Sequence, residues 1–189
     1  MSKSLKNNKL DWLTFALKVL IDKGPETLKI AKLCDLKGVT KGSFYHHFNN
    51  RAEFVESLML HWYETTTIAF IEQANTEDSA IERLQKLDRV IASNNIEAEL
   101  HIRAWALKEP VISKHLAKID TQRRDYLAQC YHELGLDQEK ARDVALLAYA
   151  NFLGMQQVQP TPPIEDSLRV SAMAAKAFLP IPDQNNSKT

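Results

Sequence analysis

Apolar residues recur along this chain at helical spacing, and no run alternates apolar and polar residues between strand-type turns. Leu10, Leu13, Leu17 and Leu20, joined by Ile21, share one helical face, and Gly24-Pro25 is a natural stop. A shorter apolar set, Leu28, Ile30, Leu33 and Leu36, runs into Lys37-Gly38, where glycine suits the left-handed position that closes a helix. Thr40 is placed to cap a second short helix, Lys41 to His47, with Phe44 and Phe48 four residues apart. Asn50 followed by Glu53 has the spacing of a capping box and opens a long helix to about Asn75. Further helices are expected at about 77–93, 96–108, 110–134, 137–158 and 164–179. Their boundaries are Asn94-Asn95, Glu109-Pro110, Gly135 and the Pro160-Thr161-Pro162-Pro163 break. Pro110 suits a first helical turn, where its missing N–H is not needed. The expected class is all-α. A three-helix N-terminal domain over 1–52 is followed by a larger helical domain over 53–180 and a mobile tail over 181–189.

Composition adds bounds to this reading. With 44% hydrophobic residues in 189, a sizeable core is available. No stretch approaches the roughly 18 apolar residues of a membrane span. The opening Met1 to Asn8 lacks the apolar core of a secretory signal, so the expectation is a cytoplasmic protein without a membrane partner. Cys34 and Cys130 are isolated and read as two buried free thiols, although a single disulfide is open to them. Formal net charge is zero, but its distribution is uneven. Nine Lys and Arg51 face four acids through residue 51, a net of +6, and the remainder carries −6. A basic head on an acidic body suits a phosphate-binding module joined to a separate domain.

Two short helices joined by a tight glycine turn form a helix-turn-helix unit, here about 29–48. The geometry needs a small residue at the crossing, a glycine in the turn and apolar anchors on both helices. Cys34, Gly38, Val39, Phe44 and Phe48 supply them. The stretch from Gly24 to Cys34, followed by Gly38-Val-Thr-Lys-Gly-Ser-Phe-Tyr-His-His-Phe48 and then Arg51, resembles the DNA-binding domain of the TetR family of bacterial regulators. The resemblance covers about residues 10–62. It implies that Tyr45 and His47 contact phosphate, that Thr40, Lys41 and Ser43 meet base edges or phosphates, and that Gly42 lets the backbone approach closely. His46 would reach the groove floor or a phosphate, and Arg51 would grip a phosphate from the start of the next helix. One position departs from the family: Lys29 stands where a capping Thr or Ser is usual. Either Thr27 caps the helix instead, or Lys29 reaches phosphate directly. Adjacent His46 and His47 have no third ligand spaced to join them, so no metal and no cofactor is expected.

Beyond residue 60 no catalytic constellation emerges. Glu97 and His101 stand four apart, which fits a surface helix pair or half of an acid–base site, with no nucleophile beside them. The last two helices are rich in small and apolar residues, and Ala141 to Gln157 resembles the penultimate, dimerising helix of the family. Val144, Ala148, Phe152, Leu168, Ala172 and Ala175 are the candidate dimer contacts. Trp62, Trp105, Tyr126, Phe152, Met155 and Gln156 are the candidates to line a pocket for a small-molecule effector. The functional expectation is a homodimeric, ligand-responsive repressor on a palindromic site in double-stranded DNA. A regulator acting through a protein partner or as an activator stands beside it, and a helical enzyme or carrier behind both.

Overall fold

A computed structural model describes Asn8 to Leu179, apart from the Ala175 side chain, and every regular element among those residues is helical. The tail expected to be mobile, 181–189, lies outside the described residues.

Helix α1 spans Lys9–Lys23. Asn8 caps it, accepting from the Asp11 N–H at 2.7 Å, while the Asp11 carboxylate accepts from the Asn8 N–H at 3.2 Å. A single 3-10 turn, Pro25–Thr27, leads to α2 at Ile30–Lys37. Gly38 then takes φ 70°, ψ 34°, and the Val39 N–H returns to the Cys34 carbonyl at 3.0 Å. That left-handed residue closes α2 and aims the chain into α3, Lys41–Tyr45. Helix α4 spans Arg51–Tyr63 and α5 spans Ala69–Ala74. The long helix expected to Asn75 is therefore interrupted by a wider π turn at Glu64–Ile68. Its threonines give a local reason: Thr65 and Thr66 donate their hydroxyls to the His61 and Trp62 carbonyls at 2.8 and 2.7 Å, competing for the helix's own acceptors. The remaining helices are α6 (Ala80–Ala92), α7 (Ala98–Ala106), α8 (Pro110–Glu133), α9 (Gln138–Met155) and α10 (Ile164–Phe178). No helix among the described residues is long and apolar enough to cross a membrane.

The chain forms two compact units. One takes the described residues up to Ala69 together with Asn95–Lys118; the other takes Phe70–Asn94 together with those from Ile119 onward. In the first, α1 packs against α4 and α7. Its core centres on Phe44, which is fully buried. The Phe44 ring meets Trp12 edge-on at 5.5 Å, Phe54 at 5.4 Å and Phe48 at 5.1 Å between centroids. Phe48 and Phe54 close the cluster at 5.2 Å. Each such pair contributes about 0.5–1.5 kcal/mol beyond the area it buries. Cys34 is buried here as a free thiol and Cys130 in the second unit.

The second unit has its own core of Tyr131, Leu136, Ala141, Val144 and Ala145, against which Leu84, Leu127 and Ala128 pack. Helices α9 and α10 lie along each other. The Asn151 amide donates to the Ser167 carbonyl at 3.1 Å and the Ser171 hydroxyl at 3.2 Å, and the Ser171 hydroxyl donates to the Ala148 carbonyl at 3.3 Å. Truncating the hub of the first core tests its weight. Phe44→Ala should lower unfolding stability by about 3–5 kcal/mol, read from urea denaturation followed by far-UV circular dichroism. A loss below about 1 kcal/mol would show that the cluster does not organise this unit.

Candidate nucleic-acid interface

Helix α3 has two sides with different jobs. Phe44 faces inward, and Phe48, just beyond the helix, joins it with 1% of its surface exposed. Lys41, Gly42, Tyr45 and His46 are exposed, and Thr40 at the N-terminus is exposed with them. Ser43 and His47 are half-buried at the edge of this face. Tyr45 keeps 52% of its surface exposed while its ring leans edge-on against Phe44 at 5.5 Å. His46 and His47 stack edge-to-face at 4.9 Å. No group of three or more His, Cys, Asp or Glu among the described residues is arranged to hold a metal ion.

Gly42 is informative because the fold does not require it. A Cβ added there would meet only the Thr40 hydroxyl oxygen, at an ordinary 3.5 Å. Gly38 differs, since its φ of 70° is a conformation that favours glycine. Glycine at 42 also weakens the helix relative to alanine, by roughly 0.5–1 kcal/mol.

Capping departs from expectation at two places. Thr27 does not cap α2, because its hydroxyl donates back to the Lys23 carbonyl at 3.2 Å. Lys29 itself occupies the cap position with extended backbone (φ −78°, ψ 135°) and makes no side-chain cap bond. Its ammonium lies 3.6 Å from the Glu26 carboxylate. Thr40 likewise makes no side-chain cap bond; its carbonyl accepts from the Ser43 N–H at 3.0 Å. At α4, Asn50 caps as expected, accepting from the Glu53 N–H at 2.9 Å. The Glu53 carboxylate instead accepts from the Asn49 N–H and side-chain amide, at 2.9 and 2.7 Å, and pairs with Lys9 at 3.4 Å.

Arg51, the first residue of α4, has a partner that no sequence pattern indicated. Its two terminal nitrogens donate to the two oxygens of Glu109 at 2.6 and 3.0 Å. The Trp105 indole N–H donates to the same carboxylate at 2.5 Å. The Arg51 hydrogen bonds hold the Glu109 carboxyl below its ordinary range; burial opposes them, and the Trp105 hydrogen bond adds a smaller push in the same direction as Arg51. In the sequence Glu109 looked only like a boundary residue before Pro110, and long-range pairing leaves no periodic trace.

The remaining candidates divide between the units. Trp62 and Trp105 are buried in the first, with 1% and 3% exposed. In the second, Tyr126, Phe152, Met155 and Gln156 are half-buried. Tyr126 donates to the Asn75 side-chain oxygen at 2.9 Å, and Gln156 donates to the Phe152 carbonyl at 3.1 Å. Val144 belongs to its unit's own core, whereas Ala148, Phe152, Leu168 and Ala172 are half-buried; the Ala175 side chain lies outside the described ones. On α9 and α10, Leu146, Leu147, Val170, Met173 and Phe178 are large apolar side chains left exposed. Glu97 and His101 share no hydrogen bond among the described residues, and the Glu97 carboxylate accepts from the Asn95 amide at 3.2 Å.

Against known proteins, residues 13–58 match the family model described as bacterial regulatory proteins, tetR family. The HTH-type transcriptional regulator TtgR of Pseudomonas putida is 25% identical over 119 residues, 60% of this chain and 56% of that regulator's length. The match thus spans little more than half of that relative. A candidate TetR-family transcriptional regulator from Rhodococcus sp. superimposes with a TM-score of 0.74 at 18% identity, covering 90% of this chain and 97% of the other. A TetR-family transcriptional regulator from Streptomyces coelicolor gives 0.71 at 11% identity, over 93% and 92%. At these identities the structural likeness speaks for the fold.

The empty cap at position 29 predicts a stabilising substitution. Lys29→Ser supplies a hydroxyl to backbone already in cap geometry and should raise stability by about 0.5–1 kcal/mol. The measurement is the urea midpoint at unchanged denaturant slope; a lower midpoint would show that the Lys29–Glu26 contact outweighs the missing cap.

Proposed function

Because this chain belongs, through its N-terminal segment, to the tetR family of bacterial regulatory proteins, we propose that it is a transcriptional regulator that represses as a homodimer and leaves its palindromic site when a small molecule binds. The observation carrying this reading is the exposed face of α3. A five-residue helix buries one aromatic and presents Lys41, Gly42 and Tyr45 outward, with Thr40 before it and His46 after it also exposed. Such a face fits a major groove, with Lys41 and Tyr45 toward phosphates and Gly42 permitting close backbone approach. The +6 charge through residue 51 supplies the sequence-independent attraction. The family is a class of regulators rather than of enzymes.

The homodimer rests on α9 and α10. Leu146 and Leu147 are 50% and 43% exposed, and Met173 is 62% exposed, with Val170 one turn before it. A second copy of the same two helices would cover this face in a four-helix interface and set two recognition helices about 34–36 Å apart. The effector is proposed to act through the pocket candidates of the second unit, Tyr126, Phe152, Met155 and Gln156. To turn the DNA-competent state from 99:1 to 1:99 it must favour the released state by about 5.5 kcal/mol.

Selection of bound duplexes from a random pool, followed by titration with the selected site, tests the DNA reading. Tyr45→Ala should weaken that site by at least about tenfold while leaving the melting temperature within a few degrees. Gly42→Ala separates fold from function more sharply: stability should hold or rise by up to about 1 kcal/mol while affinity falls. Unchanged affinity in both variants would remove α3 from the interface. For the dimer, Leu147→Glu should shift the sedimenting species from dimer to monomer at micromolar concentration. A dimer that persists would place the interface elsewhere.

A further inference from the structure

We propose that Glu109 is a built-in competitor for the DNA phosphate at Arg51, so that the junction between α7 and α8 sets the strength of the grip. This rests on the DNA-binding reading above. A carboxylate that accepts from both terminal nitrogens of a guanidinium occupies the same fork that a phosphate would use. Glu109 does so at 2.6 and 3.0 Å. It is also held in place from behind. Its oxygen accepts from the Trp105 indole N–H, and Trp105 is 3% exposed. Its backbone N–H donates to the Trp105 carbonyl at 3.1 Å, and its carbonyl accepts from the Ile112 N–H at 3.0 Å.

The Arg51 side chain meanwhile remains 44% exposed at the first position of α4, so a phosphate can approach it from solvent. Glu26, on the turn before α2, adds a second negative charge in its neighbourhood. A phosphate arriving at Arg51 must either displace Glu109 from the fork or bind a guanidinium whose charge is already balanced. Both routes reduce the gain from that contact. Because Glu109 is fixed to the α7–α8 junction, any movement of that junction changes how much of Arg51 the DNA can use.

The opposite role is a strut, in which Glu109 holds Arg51 in the correct orientation and helps DNA binding. The two roles predict opposite signs. The experiment uses the full chain and its selected duplex, with fluorescence anisotropy across a sodium chloride series. Glu109→Gln keeps an oxygen for the Trp105 N–H but removes the charge and one acceptor from Arg51. A competitor predicts that its affinity rises, by about five- to tenfold, and that log K falls with log salt more steeply by about one unit. The gain should disappear in an Arg51→Ala background, because it acts through that residue. Glu109→Ala serves as a second variant and should also gain, with circular dichroism verifying the fold of each.

Weaker binding in the Glu109 variants would establish the strut and overturn the competitor, and unchanged binding would overturn it equally. If Tyr45→Ala weakens binding but Arg51→Ala does not, the competitor falls while the proposed function stands. If the wild-type chain selects and binds no duplex, both fall together.

Discussion

A helix of five residues cannot hold itself together in water, since nucleation costs more than one turn of hydrogen bonds returns. The shape of α3 therefore depends on what its one inward ring touches. Phe44 is held by Trp12 from α1, Phe54 from α4, and Phe48 from the turn that follows α3. Those contacts fix its rotation, and rotation is what sends Lys41, Tyr45 and His46 outward together. Gly38 fixes the other variable, the angle at which the chain leaves α2. The exposed face of α3 is thus a consequence of aromatic packing on the opposite side of the same short helix.

Legibility followed the range of the interaction. Local signals carry much of the fold, in the glycine closing α2, the Asn50 cap, the proline opening α8 and the apolar repeats of an all-helical chain, but not the cap of α3, where Thr40 makes no side-chain bond. Phe44 and Phe48 were legible as anchors because their spacing is a helical one. The π turn was not, because Thr65 and Thr66 suit either a helix or a wider turn until their hydroxyls are seen bonded to the carbonyls of His61 and Trp62. Position 29 could be flagged as irregular, but the alternative cap at Thr27 failed, its hydroxyl having gone back to α1. Glu109 was out of reach for a different reason. It meets Arg51 across 58 residues, and a single carboxylate before a proline carries no sign of its partner.

The zero net charge of the whole chain conceals two opposing arrangements. Along the sequence, bases gather in the first 51 residues and acids in the rest. In space, acids from the rest return to that basic segment, Glu53 beside Lys9 and Glu109 on Arg51, while Glu26, already within it, lies beside Lys29. Such pairs temper the attraction of the head for polyanions, and the exposed ones contribute little to stability. Charge counting along the chain therefore overstates the field that a ligand would meet at Arg51 while leaving it largely intact at Lys41, which forms no ion pair among the described residues.

The placement of the tryptophans has an optical consequence. The chain has three, Trp12, Trp62 and Trp105, and all fall in the unit that contains α3. Trp12 touches Phe44, and Trp105 holds the carboxylate that holds Arg51. Indole emission from the unlabelled protein is therefore a signal from one unit alone, and the other, with tyrosines at 126, 131 and 149, is nearly dark at the same wavelengths. Any event that changes tryptophan emission is registered in the unit that carries α3, wherever on the molecule it began.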